Sequence, residues 1–168
     1  MSVIYTVGYE GTDIERFVAT LKTVGVQCLV DVRAVALSRK KGFSKKSLAS
    51  RLEVEGIEYR HFIDLGDPKA GREAAKAGLL DEFRAIYLGH LDSEAARTAT
   101  KSLAVAAGEK PTCLLCFERD PKTCHRSLVT ETLTDFETFH LFADDPERYI
   151  RNAAKLPSYN PREGVAAA

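Results

Sequence analysis

The sequence predicts an α/β domain: a three-layer, Rossmann-like arrangement around a mostly parallel sheet of about five strands. Three observations predict it. Short apolar or β-branched runs alternate with amphipathic stretches along the chain. The run Cys28-Leu29-Val30-Asp31-Val32 is apolar on both faces until Asp31, and a strand buried on both faces needs helices on both sides. The 168 residues suffice for one full core and contain no evident linker or repeat.

Each element has a local reason. Val3 to Val7 is a β-branched run ending at Gly8, a first strand. Thr12-Asp13-Ile14-Glu15 reads as a capping box with Thr12 as N-cap. Ile14, Phe17, Val18, Leu21 and Val24 follow at helical spacing, and Gly25 ends the helix. With the Cys28 run this makes a β-α-β unit, hence parallel strands and a right-handed crossover. Residues 34–43 read as a loop. Ser44 begins a helix carrying Leu48 and Leu52 that ends at Gly56, and Ile57 to Phe62 is a third strand. Residues 72–88 and 93–107 read as helices, the second ended by Gly108. Thr112 to Phe117 is a fourth strand, with a helix from about His125. Phe139 to Phe142 is a short fifth strand, and Asp145 to Ala154 a last helix. The domain is expected over residues 1–155, with an irregular or disordered tail over 156–168. The expected strand order is 3-2-1-4-5, with the winding direction reversing between the first and fourth strands.

Composition narrows the function classes. The chain is 45% hydrophobic and 29% charged, as in soluble globular proteins. Lys plus Arg and Asp plus Glu both number 24, so no global field recruits nucleic acid or a membrane. No secretory leader is evident, and no apolar segment nears the ~20 residues needed to span a bilayer. The four cysteines, Cys28, Cys113, Cys116 and Cys124, are unevenly spaced. They read as free thiols of a cytoplasmic protein, not a disulfide framework.

The densest chemistry lies between Cys116 and Arg126, where the fourth strand hands over to a helix. Ligands of open α/β sheets bind at the carboxyl ends of strands. Tyr9, Glu10, Asp31, Arg33, Asp67, Cys116 and Glu118 all fall at that predicted edge. Asp31 and Arg33 share a strand face, which suits a site or an ion pair holding the loop. Cys116 and Glu118 share parity, so a thiol and a carboxylate on one face can exchange protons or ligate a metal. Cys113 and Cys116 are three apart and face opposite ways, so they are no chelating pair. Cys28 and Cys113 read as core. Cys124 opens a helix whose first N–H groups lack partners and has His125 and Arg126 beside it, an environment that favours a thiolate or simply a cap. The same helix end, with Arg126, suits a phosphate or carboxylate. Between Arg33 and Arg51 the cations Arg39, Lys40, Lys41, Lys45 and Lys46 run without an acid, around Phe43. Such a run suits nucleic acid, nucleotide or polyphosphate, or a solvated face. His61 suits a core histidine or one facing the site, His90 a helix C-cap, and His140, between Phe139 and Leu141, a structural role.

These residues lead to an expectation of an enzyme, a hydrolase or transferase acting on a phosphate-bearing substrate such as a nucleotide or nucleic acid. Asp31 or Glu118 would serve as acid and base, and Cys116 or Cys124 as nucleophile. Tyr9, Arg33, Arg39, Lys45, His125 and Arg126 would bind the anion. Two alternatives stand beside it. One is a non-catalytic sensor of an anionic small ligand or of nucleic acid. The other is a metal- or thiol-dependent site built from Cys116, Glu118, Cys124 and His125. The spacing of those four fits no standard zinc pattern, and no metal or cofactor is assigned.

Several blocks also form a recognisable pattern. They are Thr6-Val7-Gly8-Tyr9-Glu10-Gly11, Val30-Asp31-Val32-Arg33, and Ser38-Arg39-Lys40-Lys41-Gly42-Phe43-Ser44-Lys45. Further on stand Tyr59-Arg60-His61, Leu65-Gly66, and Leu114 to Pro121 with Cys124-His125-Arg126. In these blocks the chain resembles the domain-of-unknown-function family 488. The resemblance implies a Rossmann-like domain with a site assembled from these blocks, and it implies no reaction. Asp31-Val32-Arg33 is also similar to sulfurtransferase (rhodanese) domains. However, the residue six positions after Cys116 is Lys122, and after Cys124 it is Thr130, where the phosphatase loop needs arginine.

Overall fold

A computed structural model describes residues 2–162. Its five strands are β1 (Ser2–Gly8), β2 (Cys28–Asp31), β3 (Glu58–His61), β4 (Thr112–Cys116) and β5 (Phe136–Phe142). Every pairing is parallel. The described helices are α1 (Ile14–Val24), α2 (Lys45–Val54), α3 (Lys69–Lys76), α4 (Leu80–Leu91), α5 (Glu94–Glu109), α6 (His125–Glu131) and α7 (Glu147–Arg151). One apolar cluster joins Ile4, Val30 and Leu114 of the sheet to α3, α4, α5 and α6. The other joins Val3, Tyr5, Val7, Leu29 and Leu115 to α1, α2 and α7. Alternate residues of β1 and β4 thus enter opposite cores, which is the strand period at work. The α/β class and the parallel sheet follow the sequence.

The strand order does not. It is β3-β2-β4-β1-β5, so β4 lies between β2 and β1. β4 pairs with β2 on one side (Cys28 with Thr112) and with β1 on the other (Tyr5 with Cys113), where the expected order set β1 directly against β2. Hydrophobic alternation reports which faces are buried and not which neighbours bury them. The consequence is functional: β4 leads into α6 on one face, while its neighbours β1 and β2 lead into α1 and α2 on the other. The chain therefore parts around the carboxyl end of β4 and leaves a crevice there.

Smaller corrections concern boundaries. The N-cap of α1 is Asp13, whose carboxylate accepts from Arg16 N at 2.8 Å. Thr12 instead donates to Ala143 O at 2.7 Å and pins the turn to the end of β5. The helix expected over 72–88 is two helices, α3 and α4, because Gly78 takes a left-handed φ of 76° between them. Part of the expected tail is irregular but docked: Tyr159 Oη donates to Ala107 O, and Arg162 N to Gly108 O. Residues 163–168 of that tail lie outside the described residues. Among the described residues, no helix is long and apolar enough to cross a membrane.

Candidate functional site

A cavity of about 340 Å³ opens at the carboxyl edge of the sheet. Tyr9 and Arg33 form one wall, Asp67 and Phe83 another, and Cys116, Glu118, Cys124 and His125 line the β4–α6 side. The turn after β1 is stitched to the loop after β4: Tyr9 N donates to Cys116 O and Glu10 N to Phe117 O. The register places Gly8 beside Cys116. Blocks more than a hundred residues apart thereby share one rim.

The cysteines differ from the expectation of four free thiols. Cys116 and Cys124 are joined in a disulfide, and only Cys28 and Cys113 are free, both buried. The separate elements that carry the first pair, a strand end and a helix start eight residues apart, are folded back by the 3-10 turn Pro121–Thr123. Cys113 faces the opposite core from Cys116, as its parity requires. In the bonded state neither Cys116 nor Cys124 is a ready nucleophile.

The surroundings of that sulfur pair are polar and specific. Arg126 Nη1 donates to Cys116 Sγ at 3.1 Å, and Glu118 Oε2 lies 3.3 Å from the same sulfur. His125 Nδ1 lies 3.8 Å from Cys124 Sγ, and His125 Nε2 is 2.6 Å from Val32 O. A carbonyl only accepts, so Nε2 carries the proton and Nδ1 keeps its lone pair toward the sulfur. Burial pushes the imidazole down to about 4, so His125 is neutral at physiological pH.

Two residues expected at the ligand are instead committed to the fold. Asp31 is fully buried and holds Arg33 bidentately at 2.9 and 2.7 Å, with Tyr59 Oη donating to it as well. Burial opposes the Arg33 charge, but bonding to Asp31 more than reverses this and leaves the guanidinium above its ordinary value. Arg33 also donates to Phe43 O and Tyr9 Oη. The pair is scaffold for the basic loop, and the cavity touches only Arg33. Arg126 is likewise fully buried, donating to Glu118 O, Arg119 O and Thr6 Oγ1. Its donors are spent on protein atoms, so it is no anion-binding fork. α6 has seven residues and lends little dipole. Arg39 and Lys45 are exposed and do not line the cavity. His61 and His90 face backbone carbonyls, and His140 pairs with Thr6.

The cavity adds residues that sequence reasoning passed over. They are Asp67, which the sequence places at the edge without a role, and Arg72 and Lys76 of α3. Asp67 is 5% exposed, and its Oδ1 has no hydrogen-bond partner among the described residues. The sequence signal was Asp67-Pro68 with Gly71 four residues on: a Cβ at Gly71 would collide with the Asp67 carboxyl. Burial raises Asp67 to about 7, with Arg72 opposing and the nearby Glu118 charge adding to the rise. Burial raises Glu118 too, against the pull of Arg126.

Asp67 should therefore leave a mark on stability. Its folded pKa lies above the unfolded value of 3.8, so between about pH 4 and 7 only the folded state keeps the proton. Stability is lost as pH rises through that window and stays lost above it. Asp67→Asn is expected to stabilise the protein at pH 8, by roughly 1–4 kcal/mol. At pH 4.5 the gain should be far smaller. Urea midpoints at the two pH values measure this, and equal gains at both would remove the buried-acid assignment.

The arrangement can exchange electron pairs and protons at sulfur, and it can present thiolates and an imidazole to a metal once the disulfide is opened. Neither a curated protein nor a solved structure matches the chain. A family model described as "Domain of unknown function DUF488" does match, over residues 13–133 and hence over most of the chain, so the protein belongs to that family.

Proposed function

We propose that the protein is a thiol–disulfide exchange enzyme working at Cys116 and Cys124. The observation that carries the reading is a disulfide lining a cavity with a carboxyl group 3.3 Å from one sulfur and an imidazole 3.8 Å from the other. In a cytoplasmic setting, disulfides are catalytic or regulatory more often than structural.

The polarity of the pair follows from Arg126. A guanidinium donor at Cys116 Sγ makes Cys116 the better leaving thiolate, so attack falls on Cys124. A small-molecule thiolate bonds to Cys124 Sγ, the Cys116–Cys124 bond breaks, and its electron pair leaves on Cys116. Glu118 stands where it can pass a proton to that thiolate. A second thiolate attacks the small molecule's sulfur in the mixed disulfide and frees Cys124. The protein has then gained two electrons and two protons, and two thiols have become one disulfide. The reverse reaction, on a second disulfide substrate, closes the cycle.

Arg72 and Lys76 at the same cavity favour a substrate bearing a carboxylate or phosphate, the part of the anion expectation that these residues still support. Turnover of glutathione against a low-molecular-weight disulfide tests the proposal. Cys116→Ser and Cys124→Ser should each abolish turnover. Cys116→Ser incubated with glutathione disulfide should give a mixed disulfide at Cys124, with one glutathione released. One stoichiometric oxidation without turnover would refute the enzyme and leave a redox sensor.

A further inference from the structure

We infer that the reduced protein binds one thiophilic divalent cation of the zinc type, through Cys116 Sγ, Cys124 Sγ and His125 Nδ1. The inference rests on the exchange reading only in taking the disulfide to be reducible.

These three ligand atoms lie within 4.8 Å of one another, and all three residues are buried. Adjacent residues such as Cys124 and His125 make an awkward chelate when both point outward from a helix. Here Cys124 is still extended, at φ −126° and ψ 142°, and His125 begins the helix, so Sγ and Nδ1 turn to the same side. The imidazole is already prepared as a ligand. Its far nitrogen donates to Val32 O, the outer-shell bond that fixes the tautomer and orientation of metal-binding histidines.

The spacing of the cysteines suits an ion between them. Their Cα atoms are 7.4 Å apart, beyond the roughly 4.4–6.8 Å usual for a disulfide. Two thiolates each about 2.3 Å from a tetrahedral zinc stand about 3.8 Å apart, so opening the bond leaves room for the ion without a new backbone path. Charge also matches. Two thiolates and a divalent ion are neutral together, and Arg126 at Cys116 offsets the carboxylate of Glu118. Three protein ligands leave a fourth position toward the cavity, the arrangement of catalytic rather than structural zinc. Oxidation and metal binding compete for the same two sulfurs, so each state excludes the other.

The test uses the full chain, reduced with a phosphine, desalted without oxygen and checked by thiol count. Co²⁺ titration should give one equivalent with the intense visible bands of a tetrahedral site and a thiolate-to-cobalt band, and Zn²⁺ should displace it. The disulfide form, which is folded and needs no mutation, should bind none. His125→Gln should weaken Co²⁺ binding by roughly 10–100-fold or more, and Cys124→Ser at least as much. Reduced protein without tetrahedral bands, or equal binding by the oxidised form, would overturn the inference. The two readings fail separately: turnover without Co²⁺ binding removes the metal site alone. Co²⁺ binding without turnover removes the exchange enzyme alone.

Discussion

Gly8→Ala is expected to prevent folding or to cost at least about 3 kcal/mol, seen as a collapse of the thermal midpoint. A Cβ at Gly8 would fall inside contact with the carbonyl carbon and oxygen of Glu118 and 3.0 Å from Arg119 N, all backbone atoms. None of them can retreat cheaply. Glu118 O accepts from Arg126 Nη1 at 2.6 Å, and the preceding carbonyls of Cys116 and Phe117 accept from Tyr9 and Glu10. Glycine within a strand often marks such a close approach. Gly11, three residues on, is the control. It takes a left-handed φ of 79°, yet a Cβ there would meet nothing within 4 Å. Gly11→Ala should cost only about 1–2 kcal/mol, the penalty of that backbone conformation. Equal costs at the two positions would mean that the loop after β4 is not gripped as described.

The contrast also explains what the sequence could reveal. Glycines at 8 and 11 look alike in a Gly-Tyr-Glu-Gly word, and only the approach of a distant carbonyl separates them. Periodicity found the strands because it depends on neighbours two to four residues away. It misplaced β4 because strand order depends on long-range pairing that alternation does not encode. The cavity opens at the sheet edge to which the sequence pointed, and Cys116, Glu118, Cys124 and His125 line it together because they lie at and just after the end of one strand. The roles of Asp31 and Arg126 were invisible for a different reason. A charged residue at a strand end can face solvent or be consumed by the fold, and the outcome depends on Tyr59, Phe43, Thr6 and the carbonyls of residues 118 and 119. Asp67 was undervalued because its environment comes from α3 and from Glu118, fifty residues later.

Arg126→Met is expected to cost about 3–5 kcal/mol and to slow disulfide exchange roughly tenfold in whatever fraction folds. Burying a guanidinium is itself unfavourable: burial pulls Arg126 down to about 10, with Cys113, Glu118 and Asp120 opposing. Methionine removes that penalty and fills the same volume. It also strands the carbonyls of Glu118 and Arg119, each worth about 1–3 kcal/mol when a buried group loses its partner, whereas the Thr6 hydroxyl keeps His140. The two losses outweigh the relief. Arg126→Lys separates geometry from charge. Its ammonium keeps the cation near Cys116, but a single point charge cannot reproduce donors aimed at Thr6, Cys116, Glu118 and Arg119 from one plane. Lysine should therefore restore part of the exchange rate and little of the stability, read as a split between turnover with glutathione and the urea midpoint. If both variants exchange at the native rate, the leaving thiolate is not Cys116 and attack falls on the other sulfur. Equal recovery of rate and stability by lysine would mean that Arg126 acts as a charge alone, and that the loop after β4 holds its shape without the guanidinium fork.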